Sequence, residues 1–114
     1  SYKRNKANNR AKQVDKLVTE FVLAANELAI PGERTVYIRI VMPDSEILGS
    51  PDGGRFTFAG ESIPYSAKRA VDYQGDDLPM SIYYEDVKGL YPGQYGVMVY
   101  VDGQMVGQSD LVLQ

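Results

Sequence analysis

Apolar and polar residues alternate along most of the chain, with the period of two that is typical of β-strands. The alternation is strict from Thr35 to Met42, where the even-numbered side chains are apolar and predicted to point inward, and Tyr37, Arg39 and Val41 are predicted to point outward. Runs of this kind predict strands at 17–23, 35–42, 47–48, 56–58, 63–73, 78–84, 95–101 and 105–113.

Turn residues separate these runs and indicate how the strands connect. Asp102-Gly103 lies between two alternating runs and predicts a two-residue hairpin with positive φ at both positions, and Gly107 predicts a bulge in the last strand. A helix through Ala24, Ala25 and Leu28 is the alternative to the first strand. About seven short antiparallel strands predict an all-β, immunoglobulin-like β-sandwich, with a barrel as the lesser alternative.

One aromatic residue has a position that favours the sandwich. Tyr95 follows the tight corner Tyr91-Pro92-Gly93 and lies just inside a predicted strand. This resembles the tyrosine corner of immunoglobulin-like domains, in which the hydroxyl bonds to nearby backbone. The alternative is an ordinary half-buried strand tyrosine.

Length and charge predict a single domain with a distinct N-terminal segment. Residues 1–13 are polar and basic and are predicted to form a loop or arm, whereas 14–114 are predicted to form one β-sandwich domain. A basic arm suits nucleic acid or anionic lipid, but it holds no aromatic residue besides Tyr2, so a solvated loop is favoured and nucleic acid is not expected as a partner. The sequence contains no apolar run long enough to span a membrane.

The composition removes most catalytic chemistry. The chain has no cysteine and no histidine, so it lacks a thiolate nucleophile, the usual general base and the commonest zinc ligands. The acidic residues around Asp72 to Asp86 and the pair Asp44 and Asp52 could bind calcium, but they lack EF-hand spacing and are expected to be solvated loop charges. We therefore predict no enzyme activity, no catalytic residue, no cofactor and no metal site.

Nine tyrosines in 114 residues are the unusual feature of the composition. If Tyr37, Tyr83 and Tyr100 face outward, they form with Arg39 a candidate surface for a protein partner or a sugar ring. The alternative role is cross-strand pairing that stabilises the sheet. The sequence predicts a non-catalytic interaction or structural module that binds a protein partner or itself, including as a homodimer, through a sheet face or an edge strand. A carbohydrate-binding accessory module is the alternative.

Three long segments carry a resemblance to a known group of proteins. They are KLVTEFVLAANELAIPGERTVYIRIVMPD, IPYSAKRAVDYQ and LYPGQYGVMVYVDGQMVGQSDLVL. They resemble the C-terminal domain of Bacteroides-type coiled-coil proteins, which often carry a chromosome-segregation or partition-like label. The resemblance implies a β-sandwich head at the end of a membrane-anchored coiled coil, a location in the cell envelope or periplasm, and a first strand that reaches Ser1-Tyr2 from upstream, where exposed pairing groups would favour strand exchange.

Overall fold

Strands make up all the regular secondary structure in the part of the chain that the structure describes. The computed structural model describes residues 2–5, 16–26, 28–85 and 87–114. The strands are β1 (Tyr2–Asn5), β2 (Leu17–Leu23), β3 (Gly32–Val41), β4 (Arg55–Phe58), β5 (Glu61–Pro64), β6 (Ala67–Tyr73), β7 (Leu78–Tyr84), β8 (Gly93–Val101) and β9 (Gln104–Leu113). The prediction of an all-β protein is confirmed.

The strands form two main antiparallel sheets and one hairpin. The first sheet has the order β1-β2-β7 and the second has the order β6-β3-β8-β9, while β4 and β5 form a separate hairpin. Every pairing between these strands is antiparallel. At the edges of the two main sheets, β6 lies close to β7 and β1 lies close to β9. The seven strands of the main sheets therefore form a β-sandwich.

The core lies between the two sheets and contains the inward-facing side chains that the alternation predicts. Strand β3 contributes Val36, Ile38 and Ile40, and each is at most 1% exposed. Residues from both sheets join them in one apolar cluster, which includes Leu17, Phe21, Leu23, Tyr73, Met80, Ile82, Tyr84, Tyr95, Val97, Val99, Leu111 and Leu113. Burial of these side chains is the main stabilising term for the fold.

Two local predictions are confirmed. Asp102 and Gly103 have φ values of 52° and 73°, as the two-residue hairpin between β8 and β9 requires. Strand β2 ends at Leu23, so a strand rather than a helix forms there. The predicted bulge is displaced by one position, because Val99 pairs with Gly107 and Tyr100 pairs with Met105, which leaves Val106 as the extra residue.

The prediction that residues 1–13 form a loop or arm is wrong for residues 2–5. These residues form β1, in which Tyr2 pairs with Phe21 and Asn5 pairs with Val18. Backbone hydrogen bonds do not depend on side-chain polarity, and basic residues are common on edge strands because they discourage further pairing. The rest of the predicted arm, residue 1 and residues 6–13, lies outside the described residues.

The prediction of a single strand at 63–73 is wrong, because this segment is divided into two strands, β5 and β6. The cause is Ser66, which is 1% exposed. Its hydroxyl accepts a hydrogen bond from the amide of Ile40 at 2.8 Å and donates one to the carbonyl of Leu48. An unpartnered buried polar group costs about 1–3 kcal/mol, so bonding these groups favours the break over a continuous strand.

Candidate interaction surface

Tyr37 and Tyr100 belong to an internal aromatic cluster and do not form the exposed surface that the sequence predicts. They are cross-strand partners on β3 and β8. The β4–β5 hairpin covers them: the Phe56 ring stacks on Tyr37 with centroids 4.3 Å apart, and the Phe58 ring meets Tyr100 edge-on at 4.9 Å. Tyr100 is consequently only 4% exposed.

Tyr83 lies on the other sheet, apart from this cluster. It is 54% exposed, and the ammonium group of Lys16 lies 4.9 Å from its ring centroid. The prediction of one face shared by Tyr37, Tyr83 and Tyr100 is therefore wrong. Alternation predicts which face of a strand each side chain occupies, but not which sheet the strand joins or what covers that face.

Arg39 is half-buried and holds the hairpin on the sheet. Its Nε donates to the carbonyl of Pro64, the last residue of β5, at 2.8 Å. The guanidinium group therefore has a structural partner inside the protein. Because Arg39 lies beneath the hairpin and bonds to it, a charged side chain is accommodated among the aromatic side chains on the outward face of β3.

The predicted hydrogen-bond pattern of a tyrosine corner is present at Tyr95. This side chain is fully buried, and its hydroxyl donates to the carbonyl of Tyr91 at 2.6 Å and accepts from the amide of Tyr91 at 3.1 Å. One side chain thereby joins the core to the connection between β7 and β8. Its role is structural.

Asp52 organises the turn that precedes the hairpin. Its carboxylate accepts from the amide of Gly54 at 2.9 Å, from the hydroxyl of Ser50, and from the hydroxyl of Tyr65 at 3.1 Å. A Cβ at position 54 would overlap the Tyr65 ring. Glycine is therefore required for the Tyr65 side chain to pack this close to the backbone. The hydrogen bond from Ser50 lowers the pKa of Asp52 below its ordinary value, and the bond from Gly54 adds to the effect.

We expect Asp52 to titrate with a pKa below 3.8 in an NMR pH titration of its side-chain carboxyl. Because the folded pKa is lowered, the contribution of this group to stability is complete above the ordinary pKa and is lost as the pH falls through the folded value. Ser50→Ala should raise the pKa. Ser62→Ala removes a hydroxyl that bonds Arg55 instead and should leave it unchanged. A pKa of 3.8 or higher in the unmodified protein would contradict the assignment.

The edge strands of the two main sheets differ in their amino-acid composition. Strands β1, β6 and β7 each carry a lysine, an arginine or a proline, residues that discourage pairing with another strand. These are Lys3, Arg4, Lys68, Arg69 and Pro79. Strand β9 has none of them, and Asp110 is its only charged residue. Met105, Val106 and Val112 on β9 are 46%, 46% and 50% exposed.

A cleft opens between the sheets at the end where β2 finishes and β9 begins. Its volume is about 330 Å³. Its walls include Phe21 and Leu23 of β2 and Val106 of β9, and Val99 and Val101 of β8 also line it. No local pattern in the sequence indicates this cleft or the β9 edge, because both depend on how distant strands are ordered in the sheets.

The described residues contain neither a metal-binding cluster nor a membrane-spanning helix. Within 16–26, 28–85 and 87–114, no three acidic side chains come close enough together to hold a metal ion. In the same part of the chain, no helix has the length and apolarity needed to cross a bilayer. Asp44, one of the acids considered for calcium, instead bonds the backbone amide of Glu46 at 2.9 Å.

The chain belongs to the family described as domain of unknown function DUF8428, whose model matches residues 1–114. No curated protein matches the chain. A functional interpretation of the β9 edge and of the cleft therefore rests on the chemistry of their own residues.

Proposed function

We propose that this member of a family without an assigned function is a non-catalytic interaction module of the immunoglobulin-like class. It pairs with a second copy of itself through the outer edge of β9, the last strand of its sheet. The observation that carries the proposal is the contrast between β9 and the other three edge strands, since β9 lacks the basic residues and proline that they carry.

The side chains of β9 are compatible with antiparallel pairing to an identical strand. A register that places Val112 opposite Val106 of the second copy also places Asp110 opposite Gln108. The two Asp110 carboxylates then avoid each other, and apolar residues that are exposed in the monomer meet across the two-fold axis. Pairing of this kind joins two four-stranded sheets into one continuous sheet.

The non-catalytic part of the proposal rests on composition, and the immunoglobulin-like part rests on Tyr95. A chain with neither histidine nor cysteine lacks the side chains that most often act as general base or thiolate nucleophile. The two hydrogen bonds between the Tyr95 hydroxyl and the backbone of Tyr91 are typical of a tyrosine corner. In the longer protein that the sequence resemblance implies, paired sandwiches would form the head of a coiled coil at the cell envelope.

The carbohydrate-binding alternative requires several exposed tyrosines aligned on one face. Tyr37 and Tyr100 lie beneath the hairpin, and Tyr83 is on the other sheet. No observation favours this alternative over self-association, so we do not propose it.

Val112→Lys is expected to convert a concentration-dependent dimer into a monomer in sedimentation velocity experiments. By symmetry the substitution adds two lysines to the interface, and we expect the dimer to weaken about tenfold or more. Ala70→Lys is the matched control, because it adds the same side chain to an exposed position on the β6 edge. A monomer at all accessible concentrations, or equal weakening by both variants, would contradict pairing through β9.

A further inference from the structure

We infer that a groove beside Tyr83 binds a proline-rich segment of a protein partner, and that this segment also carries an arginine. The segment lies in the groove as a polyproline II helix, with a proline ring against the Tyr83 ring and the guanidinium group at Asp52. The described residues that line the groove belong to parts of the chain other than β9, so this site is separate from the pairing of two copies. It gives the module a second type of partner.

The groove lies where the turn before the β4–β5 hairpin approaches the start of β6 and the end of β7. Its volume is about 420 Å³. Three segments line it, namely residues 50–52 of the turn, 65–68 at the start of β6 and 83–85 at the end of β7. The hydroxyl of Tyr84 donates to the carbonyl of Gly49 at 3.1 Å, and this bond ties the turn to β7. The fold itself therefore holds the sides of the groove in place.

The backbone of Tyr65 and Ser66, the buried floor of the groove, is already hydrogen-bonded, which disfavours an added strand as the occupant. The amide of Ser66 donates to the carbonyl of Ile38 at 2.7 Å. The amide of Tyr65 donates to the carbonyl of Gly54, and the carbonyl of Tyr65 accepts from the amide of Ser50. An added strand needs a row of unpaired backbone groups, whereas a polyproline II helix has no internal hydrogen bonds and docks through its side chains.

Rings form the main exposed apolar surface of the groove. Tyr83 is 54% exposed, and Pro51 is exposed on the turn. The ammonium group of Lys16 lies 4.9 Å from the centroid of the Tyr83 ring, and an exposed cation above a ring is held weakly enough for a ligand to displace it. Proline-rich segments bind aromatic-lined grooves, because the polyproline II conformation is preformed and loses little entropy on binding. The exposed rings therefore favour a proline-rich occupant.

Asp52 supplies a fixed carboxylate for a basic residue of the segment. Its Oδ1 accepts from the amide of Gly54 at 2.9 Å and from the hydroxyl of Ser50. Its Oδ2 accepts from the hydroxyl of Tyr65 at 3.1 Å. These bonds fix the orientation of the carboxylate, and Oδ2 retains capacity for a second donor because each carboxylate oxygen has two acceptor sites. A guanidinium group at this oxygen forms a charge-assisted hydrogen bond without rearrangement of the turn.

Charge along the groove favours a basic segment over an acidic one. Asp52 and Glu85 line the groove together with Lys68. The ammonium group of Lys68 lies over the Tyr65 ring, 5.4 Å from its centroid. Residues 17–114 as a whole contain fourteen acidic and six basic side chains, and the resulting negative potential attracts a basic segment. Arginine suits the carboxylate better than lysine does, because its guanidinium group is planar and more weakly hydrated.

The probe for this site is a displayed library of peptides of about ten residues, about 30 Å long as polyproline II helices, in which every third residue is proline and the others are random. The matched control library has alanine at the fixed positions. Both are selected on the unmodified protein. We expect enrichment from the proline library alone, with arginine at a constant distance from a proline. Each enriched peptide is then synthesised with a fluorophore, and its affinity is measured by anisotropy.

Two comparisons locate the bound peptide. Tyr83→Ala should weaken binding about tenfold or more, whereas Tyr91→Ala should change it less than about twofold, because Tyr91 is also partly exposed but does not line the groove. Replacing the peptide arginine with glutamine should weaken binding to the unmodified protein and have little further effect on the Asp52→Asn variant. Added salt should weaken the arginine peptide more than its glutamine version, which tests the charge contact without any protein variant. Thermal unfolding checks that the variants fold.

Four results would overturn the inference. They are the absence of any enriched peptide, equal enrichment from the two libraries, equal effects of Tyr83→Ala and Tyr91→Ala, and equal affinity of the arginine and glutamine peptides. Each leaves the β9 proposal intact, because that proposal is tested by the mass of the protein in sedimentation experiments and not by peptide binding.

Discussion

Replacing Tyr100 with alanine is expected to lower the free energy of unfolding by about 3–5 kcal/mol, as measured by urea denaturation. Tyr100 is 4% exposed and packs against both Phe56 and Phe58 of the hairpin. Its loss leaves a cavity beneath β4 and removes the surface on which the hairpin rests. The cavity and the lost support for the hairpin both destabilise the folded state. The loss of unfolding free energy should therefore be among the largest for any single substitution outside the main core.

Tyr83→Ala is the matched control, since it is the same substitution on a strand of the other sheet. Tyr83 is 54% exposed, and the ammonium group of Lys16 lies 4.9 Å from its ring centroid. We expect the free energy of unfolding to change by about 0.5–1 kcal/mol, the range for an exposed aromatic with a cation above it. Similar effects at the two positions would mean that the hairpin does not cover Tyr100 in solution.

Tyr37 and Tyr100 show how far the sequence predicts the structure. Strict alternation in β3 and β8 predicts that Tyr37 and Tyr100 point away from the core. In the structure, the pairing of β3 with β8 places the two side chains next to each other. The strands predicted at 56–58 and 63–73 overlap the two strands of the hairpin. No local pattern shows that this hairpin folds back over the two tyrosines, because that contact depends on Arg39 reaching the carbonyl of Pro64.

The candidate sites were less accessible to prediction than the strands. The β9 edge exists because β9 is last in the order β6-β3-β8-β9, and sheet order is determined by long-range pairing. The cleft lies where the end of β2 meets the start of β9, strands of different sheets that are far apart in the sequence. The sequence does contain one relevant signal, namely the absence of lysine, arginine and proline between residues 104 and 113.

Tyr95→Ala is expected to lower the free energy of unfolding by about 3–5 kcal/mol, because the ring is fully buried among side chains of both sheets. Tyr95→Phe keeps the ring and removes only the hydroxyl. We expect this second variant to lose about 1–3 kcal/mol, since the hydroxyl both donates to the carbonyl and accepts from the amide of Tyr91. Urea denaturation of the two variants separates packing from hydrogen bonding.

Tyr73→Phe is the control for the hydroxyl of Tyr95. The Tyr73 hydroxyl is also bonded to a backbone carbonyl, that of Ala24, but it makes one such bond at the cleft, whereas Tyr95 makes two beneath the corner. Its removal should therefore cost less than removal of the Tyr95 hydroxyl. If Tyr95→Phe is as stable as the unmodified protein, the two bonds to Tyr91 do not hold the corner, and the main structural support for placing this sandwich in the immunoglobulin-like class is lost.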